Sequence, residues 1–203
     1  NNKLSGQSYF GGVCLINYKE LPVPVQEFLR YQLLQLDHSA NSAVAYESDL
    51  KIFFRFMKRQ RGLVEDGTPF DDILIKDLDM NFVKDITRQD IMDFIEYLRM
   101  DRIAYEGTAR EENGISPTSA RRKLSCLKAF FNYLCVHKEA LTVDPTQGVI
   151  APKLAKTLPK YFTEDQSLKL LGAISGRNEE RDYAIILLAL TCGLRVSEIA
   201  GIN

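Results

Sequence analysis

Apolar side chains recur along most of this chain at steps of three and four residues, the repeat of a helix with one buried face, and almost nowhere at steps of two. A chain so patterned cannot build its core from a sheet and has to pack helices against one another. The strongest instance opens at Ser116-Pro117, an N-cap followed by proline at the first helical position, where its missing N–H does no harm. Its apolar side is Ala120, Leu124, Leu127, Phe131 and Leu134, while Arg121, Ser125, Lys128 and Asn132 follow at steps of four, three and four on another side.

Three further helices precede it. From Pro24, the positions Val25, Phe28, Leu29, Leu33 and Leu36 form a stripe that runs out near His38. Between Ser42 and Arg61 the stripe is Tyr46, Leu50, Phe53, Phe54 and Met57, with Lys51, Arg55, Lys58 and Arg59 on a different face and Gly62 as the stop. Thr87 with Asp90 three residues on signals the start of another, with Ile91, Phe94, Ile95 and Leu98 facing inward and an end near Arg102. The segment 63–84 reads as a long loop with a brief helical turn near Asn81, and the phenylalanines at helical spacing read as core rather than as platforms for stacked bases.

Pro145, Pro152 and Pro159 rule out a continuous helix between Leu141 and Pro159, so a basic extended linker is expected there. Thr163 with Gln166 then starts a new helix, and Asp182 to Thr191 is apolar on nearly every side, as a buried helix would be, with Gly193 in the position of a left-handed cap. The expected organisation is a flexible N-terminal extension over 1–19, a helical domain over 20–140, a linker over 141–160 and the start of a second domain over 161–203. No run shows convincing strand alternation.

Composition narrows the function. With 45% hydrophobic and 26% charged residues among 203, the chain has ordinary globular character. Its longest apolar run, Ala184 to Leu190, is far short of the roughly 20 residues of a membrane span, and no leader with a cleavage site opens the sequence, so a cytoplasmic protein without membrane contact is expected. The four cysteines, Cys14, Cys126, Cys135 and Cys192, lack paired metal-site spacing and read as reduced thiols mostly in the core, and His38 and His137 are isolated. Neither a metal nor a cofactor is expected. The net charge of −1 hides an uneven distribution: from Ile115 to Tyr161 the only acids are Glu139 and Asp144, against Arg121, Arg122, Lys123, Lys128, Lys138, Lys153, Lys156 and Lys160. Such a patch points to an anionic partner.

The stretch Thr191-Cys192-Gly193-Leu194-Arg195-Val196-Ser197-Glu198-Ile199 resembles the first conserved box, T-G-x-R-x-x-E-L, of the tyrosine recombinase and phage integrase family, with Cys192 intruding between its threonine and glycine. Arg181-Asp182-Tyr183-Ala184 resembles the family's approach to that box, and Leu158-Pro159-Lys160-Tyr161-Phe162-Thr163 its catalytic-domain start. Upstream, the four-helix pattern and Tyr46-Glu47-Ser48-Asp49-Leu50 resemble its core-binding, SAM-like domain, so the resemblance covers about residues 20 to 203.

The resemblance implies an all-α, four-helix core-binding bundle followed by the first helices of a catalytic domain. It also implies cutting and rejoining of DNA through a 3'-phosphotyrosyl link, without a cofactor, by protomers assembled as a tetramer on double-stranded DNA. Arg195 matches the family's first catalytic arginine, whose planar fork donates two hydrogen bonds to the phosphate and stays charged. Glu198 reads as a partner that orients this turn. The family's later parts, a lysine on a β-hairpin, an H-x-x-R box, a second His or Trp and the nucleophilic tyrosine, find no match, since all nine tyrosines precede Arg195. The chain by itself is therefore expected to bind DNA without cutting it, as a monomer or weak dimer when free. The short segment before the first helix points to the compact Xer-like or mobile-element type.

Taken alone, a basic helix face is most often just solvated surface. In a core-binding domain, Lys51, Arg55, Lys58 and Arg59 on one helix and Arg121, Arg122, Ser125, Lys128 and Asn132 on another are expected to meet DNA, with Lys153, Lys156 and Lys160 tracking phosphates as the linker passes around the duplex in a C-shaped clamp. A stand-alone helical DNA-binding regulator explains the basic helices equally well but gives no reason for the box around Arg195. A helical protein-interaction adaptor predicts that DNA does not compete for the basic stretch.

Overall fold

The computed structural model describes residues 7–10, 13–104, 112–153 and 161–202. The protein is all-α in class, and its chain divides into two compact units, Asn1–Leu154 and Ala155–Asn203.

In the first unit, α1 (Val23–Leu34), α2 (Ala40–Gln60), α4 (Arg88–Met100) and α5 (Pro117–Asn132) surround one core, with a short α3 (Met80–Lys84) ahead of α4. The caps explain the boundaries. The Ser39, Thr87 and Ser116 hydroxyls accept the third-position backbone N–H of α2, α4 and α5, and Asp90 returns the bond to the Thr87 N–H at 2.8 Å. α5 runs on into a π-helical turn, Tyr133–His137, where the Tyr31 hydroxyl lies 3.0 Å from His137 Nε2.

The core is aromatic. Phe28, Phe53, Phe54, Phe94, Phe130 and Phe131 are all fully buried and meet edge to face, with ring centres 5.1 Å apart for Phe53–Phe94 and 5.5 Å for Phe28–Phe130. Each such ring contributes about 3–5 kcal/mol against truncation to alanine. α2 and α5 pack directly on each other, so whatever either helix shows to solvent is held by the same core.

Two stretches differ from the sequence expectation. Within 1–19, β1 (Gln7–Phe10) and β2 (Val13–Asn17) pair as an antiparallel hairpin, and Ile16 and Tyr18 are buried in the core, so the chain is anchored before residue 20. Within 141–160, Pro145, Thr146 and Val149 are buried, and Arg88 and Lys128 donate to the carbonyls of Gly148 (2.8 Å) and Val149 (3.2 Å). Prolines prevent a helix there, yet the segment still has apolar side chains to bury, so its first half belongs to the first unit. A third addition is the two-residue ladder of β3 (Ile103–Ala104) and β4 (Glu112–Asn113). At Gly114 just beyond it φ is +77°, and a Cβ would run into the Arg99 carbonyl, so only glycine fits.

The second unit contains α6 (Glu164–Gly172), α7 (Glu179–Cys192) and α8 (Val196–Ala200). The Thr163–Gln166 capping box starts α6, and Gly193, at φ +63°, ends α7. The expected burial of 182–191 differs here: no residue of these three helices is buried, because α6 and α8 are too short to cover a helix that is apolar all round.

Candidate nucleic-acid interface

The two basic helix faces have different surroundings. On α5, Arg121, Arg122, Ser125, Lys128 and Asn132 are all exposed, and no side-chain partner engages Arg121 or Asn132 among the described residues. Ser125 Oγ donates back to the Arg121 carbonyl at 3.0 Å, which leaves the hydroxyl oxygen free to accept. Among the described residues Lys128 donates to the Val149 carbonyl and has no acid partner. A groove of about 670 Å³ lies beside Lys128 and Asn132, bounded across by Thr142, Asp144, Thr146 and Gln147. Cations, an amide and a hydroxyl oxygen thus share one surface, the first two able to donate to phosphates and base edges and the last to accept from a base-edge amino group.

On α2 every member of the basic stripe is engaged by the protein itself. Lys51 pairs with Glu47 at 2.9 Å and Glu20 at 3.5 Å. Arg55 pairs with Asp71 at 2.7 Å and also donates to the Asp71 and Ile73 carbonyls. Lys58 is buried, with Nζ 2.9 Å from both Asp77 oxygens and 2.8 Å from the Leu74 carbonyl. Arg59 donates to the Thr68 carbonyl at 2.8 Å and lies over the Phe70 ring. These contacts all reach the acidic 63–79 segment or neighbouring acids, so the stripe straps that segment to α2. From sequence, Lys51, Arg55, Lys58 and Arg59 are expected to face DNA, and the structure places each of them against partners within the protein. Lys51, Arg55 and Lys58 are each matched by an acid, and Lys58 has almost no exposed surface to offer, whereas Arg59 is exposed and rests on a carbonyl and a ring.

Lys153 is exposed, whereas Lys156 and Lys160 lie outside the described residues. Arg195 stands just after the left-handed Gly193, at the N-cap of α8, with its side chain 82% exposed. Glu198 accepts both its backbone N–H (2.7 Å) and its Nη1 (3.1 Å). Glu198 therefore fixes the turn and one edge of the guanidinium, as expected, and leaves the other edge open to an anion.

The sequences similar to this chain bear on what such surfaces serve. A tyrosine recombinase XerC from Caldanaerobacter subterraneus subsp. tengcongensis is 38% identical over 182 residues, covering 90% of this chain and 48% of that protein. A tyrosine recombinase XerD from Proteus mirabilis is 30% identical over 190 residues, covering 92% and 50% respectively. A XerD from Listeria innocua is 29% identical over 177 residues, covering 86% and 50%. The chain belongs to the tyrosine recombinase family. It spans about half the length of the curated relatives it matches. No family model and no solved structure matches it.

In this recombinase-family chain, sequence reasoning missed the partners of the basic residues. Asp49 is buried on α2 and holds both Arg122 and Lys123 of α5, and Lys123 is itself buried. Burial lowers the Lys123 pKa from its ordinary value, a drop that the Asp49 hydrogen bond and charge partly offset. Asp49 lies three residues after Tyr46 and four before Phe53, on the apolar stripe, and a charge in that position is the signal that was available. Of the cysteines, Cys126 is buried, Cys135 half-buried and Cys192 exposed, so the core expectation holds for Cys126 and not for Cys192, while the Cys14 side chain lies outside those described. Among the described residues no helix is long and apolar enough to cross a membrane.

Proposed function

We propose that this chain is the DNA-gripping portion of a site-specific tyrosine recombinase, a cytoplasmic protein whose protomers assemble on double-stranded DNA and exchange strands through a 3'-phosphotyrosyl intermediate. The observation that carries this reading is the exposed face of α5, where Arg121, Ser125, Lys128 and Asn132 stand in line without carboxylate partners among the described residues. In the reading, Arg121 and Lys128 take phosphates, Asn132 reaches a further phosphate or base edge, and the Ser125 oxygen accepts from a base-edge amino group, with the face laid along a groove of the duplex. Lys153, Lys156 and Lys160 add phosphate contacts where the chain leaves the first unit.

Arg195 is the residue that would face the scissile phosphate. Charge accumulates on the phosphate oxygens as a tyrosine hydroxyl attacks, and a guanidinium held by one edge stabilises it with the other. Its mounting on Glu198 supports that role, because a fixed donor needs no reorganisation as charge develops. In this reading the chain alone binds DNA without cleaving it and is a monomer or weak dimer off DNA.

The test is fluorescence-anisotropy binding to duplex DNA across a salt series, for the chain and for Arg121→Ala with Lys128→Ala. The expected result is affinity that falls steeply with salt, and a log–log slope about 1.8 smaller in magnitude in the double variant, roughly 0.9 for each phosphate contact removed. Negligible binding at low salt would overturn the reading.

A further inference from the structure

We infer that Asp49 is a positioning residue for DNA, holding Arg122 of α5 by its inner edge so that its outer edge meets a phosphate at a fixed place beside Arg121. The inference rests on the DNA-binding reading of α5 and adds to it a residue on the opposite helix.

Asp49 is 1% exposed, at the seam where α2 packs on α5. Its Oδ1 accepts from Lys123 Nζ at 2.6 Å and from Arg122 Nη2 at 2.8 Å. Its Oδ2 lies 2.6 Å from Arg122 Nη1, an ion pair outside hydrogen-bonding geometry. The two cations differ in what remains of them. The Lys123 side chain is 8% exposed and ends at the carboxylate, whereas that of Arg122 is 54% exposed.

A carboxylate withdrawn from water at a helix seam is costly, and an apolar residue there generally packs as stably or better. The arrangement instead sets one anion against two cations, so the node keeps one net positive charge, and the exposed part of that charge is Arg122. Both terminal nitrogens of its guanidinium are occupied on the carboxylate side. Nε–H and the second hydrogens of the terminal nitrogens remain, in a plane set by Asp49. An arginine held in this way loses less side-chain entropy on meeting a phosphate than one that is free, which is the benefit of preorganisation. Arg121, the preceding residue, has no such support, so the two neighbours divide the work: Arg121 supplies charge and Arg122 supplies geometry.

The experiment compares DNA affinity and urea stability for Arg122→Ala, Arg122→Lys, Asp49→Asn and the Asp49→Asn/Arg122→Ala pair. Arg122→Ala is expected to weaken binding about fivefold to tenfold and to lower the salt slope by about 0.9. Arg122→Lys keeps the charge and the slope but is expected to lose about threefold, because a point charge cannot span the carboxylate and a phosphate in one plane. Asp49→Asn is expected to weaken binding about as much as Arg122→Lys, and in the pair its effect on DNA disappears. Should Asp49→Asn fail to fold, the Arg122→Lys comparison still decides, since wild-type affinity there overturns the inference. Additive losses in the pair overturn it as well. If Arg122→Ala binds as wild type while Arg121→Ala with Lys128→Ala does not, Asp49 is a packing residue only and the DNA reading stands. If none of these variants alters binding, the DNA reading fails first.

Discussion

α2 and α5 carry similar densities of cationic side chains and share one core, yet three of the four cations on α2 are matched by acids, while on α5 Arg121 and Lys128 have no acid partner among the described residues. The cause lies in the segment that each helix leads into. After α2 the chain supplies Glu65, Asp66, Asp71, Asp72, Asp77 and Asp79, and this segment folds back across the basic stripe. After α5 it supplies only Glu139 and Asp144 before Lys153, and the returning segment offers carbonyls, which orient a cation without cancelling it. A basic stripe is therefore a binding surface or a strap according to the acids within its reach, and counting cations on a helix does not distinguish the two.

The largest effect that separates the helices is on stability. Lys58→Met keeps the aliphatic stem of a buried lysine but leaves Asp77 and the Leu74 carbonyl without their donor. A loss of about 2 kcal/mol is expected, at the low end for a buried pair because Asp77 is itself largely exposed. Urea unfolding reads that loss, and the DNA salt slope of the folded variant stays that of wild type. A change in slope would show that Lys58 meets DNA after all and that the two helices are not distinct.

A smaller effect runs in the opposite direction. If acids are what silence α2, then Asp71→Asn with Asp77→Asn frees Arg55 and Lys58 from their carboxylates and raises the net charge by two. Affinity for duplex DNA at low salt is expected to rise about threefold, with a steeper salt dependence. Unchanged affinity would mean that the α2 face points away from DNA whatever its charge.

Much of this architecture is legible in the sequence because caps and periodicity act locally. Ser116-Pro117, Thr87 with Asp90, Thr163 with Gln166, Gly62 and Gly193 mark the ends of helices, and in the first unit the apolar stripes between those marks form the core. The N-terminal hairpin escapes such a reading although Gly11-Gly12 between two short runs is a turn signal, because each flanking run is too brief to show alternation. Packing of the 145–149 segment leaves no periodic trace at all. The electrostatics are least legible: Lys58 finds Asp77 across 19 residues and Arg122 finds Asp49 across 73, pairings decided by the fold rather than by neighbours. For Arg195 the opposite holds, since its orienting Glu198 is three residues away on the same turn, and both members stand in the box itself.

The smallest expected effect concerns acid. Around Asp77, partial burial pushes its pKa up, but the hydrogen bond from Lys58, its own backbone N–H and the charges of Lys58 and Lys76 outweigh that, so the net pKa lies below its ordinary value. A carboxylate with a depressed folded pKa binds protons less readily than in the unfolded chain. Its stabilising contribution is therefore complete above the ordinary carboxylate value of about 3.9 and is lost as pH falls below it, through the folded pKa. The strap on α2 should thus weaken only in that acid window, while Arg121 and Lys128 on the α5 face have no carboxylate partner to lose among the described residues. Urea midpoints followed into that window should fall less for Asp77→Asn than for wild type. Parallel curves would show that the Lys58 pair contributes nothing to the acid limb, and that the 63–79 segment is held to α2 by its buried Ile73, Ile75 and Leu78 instead.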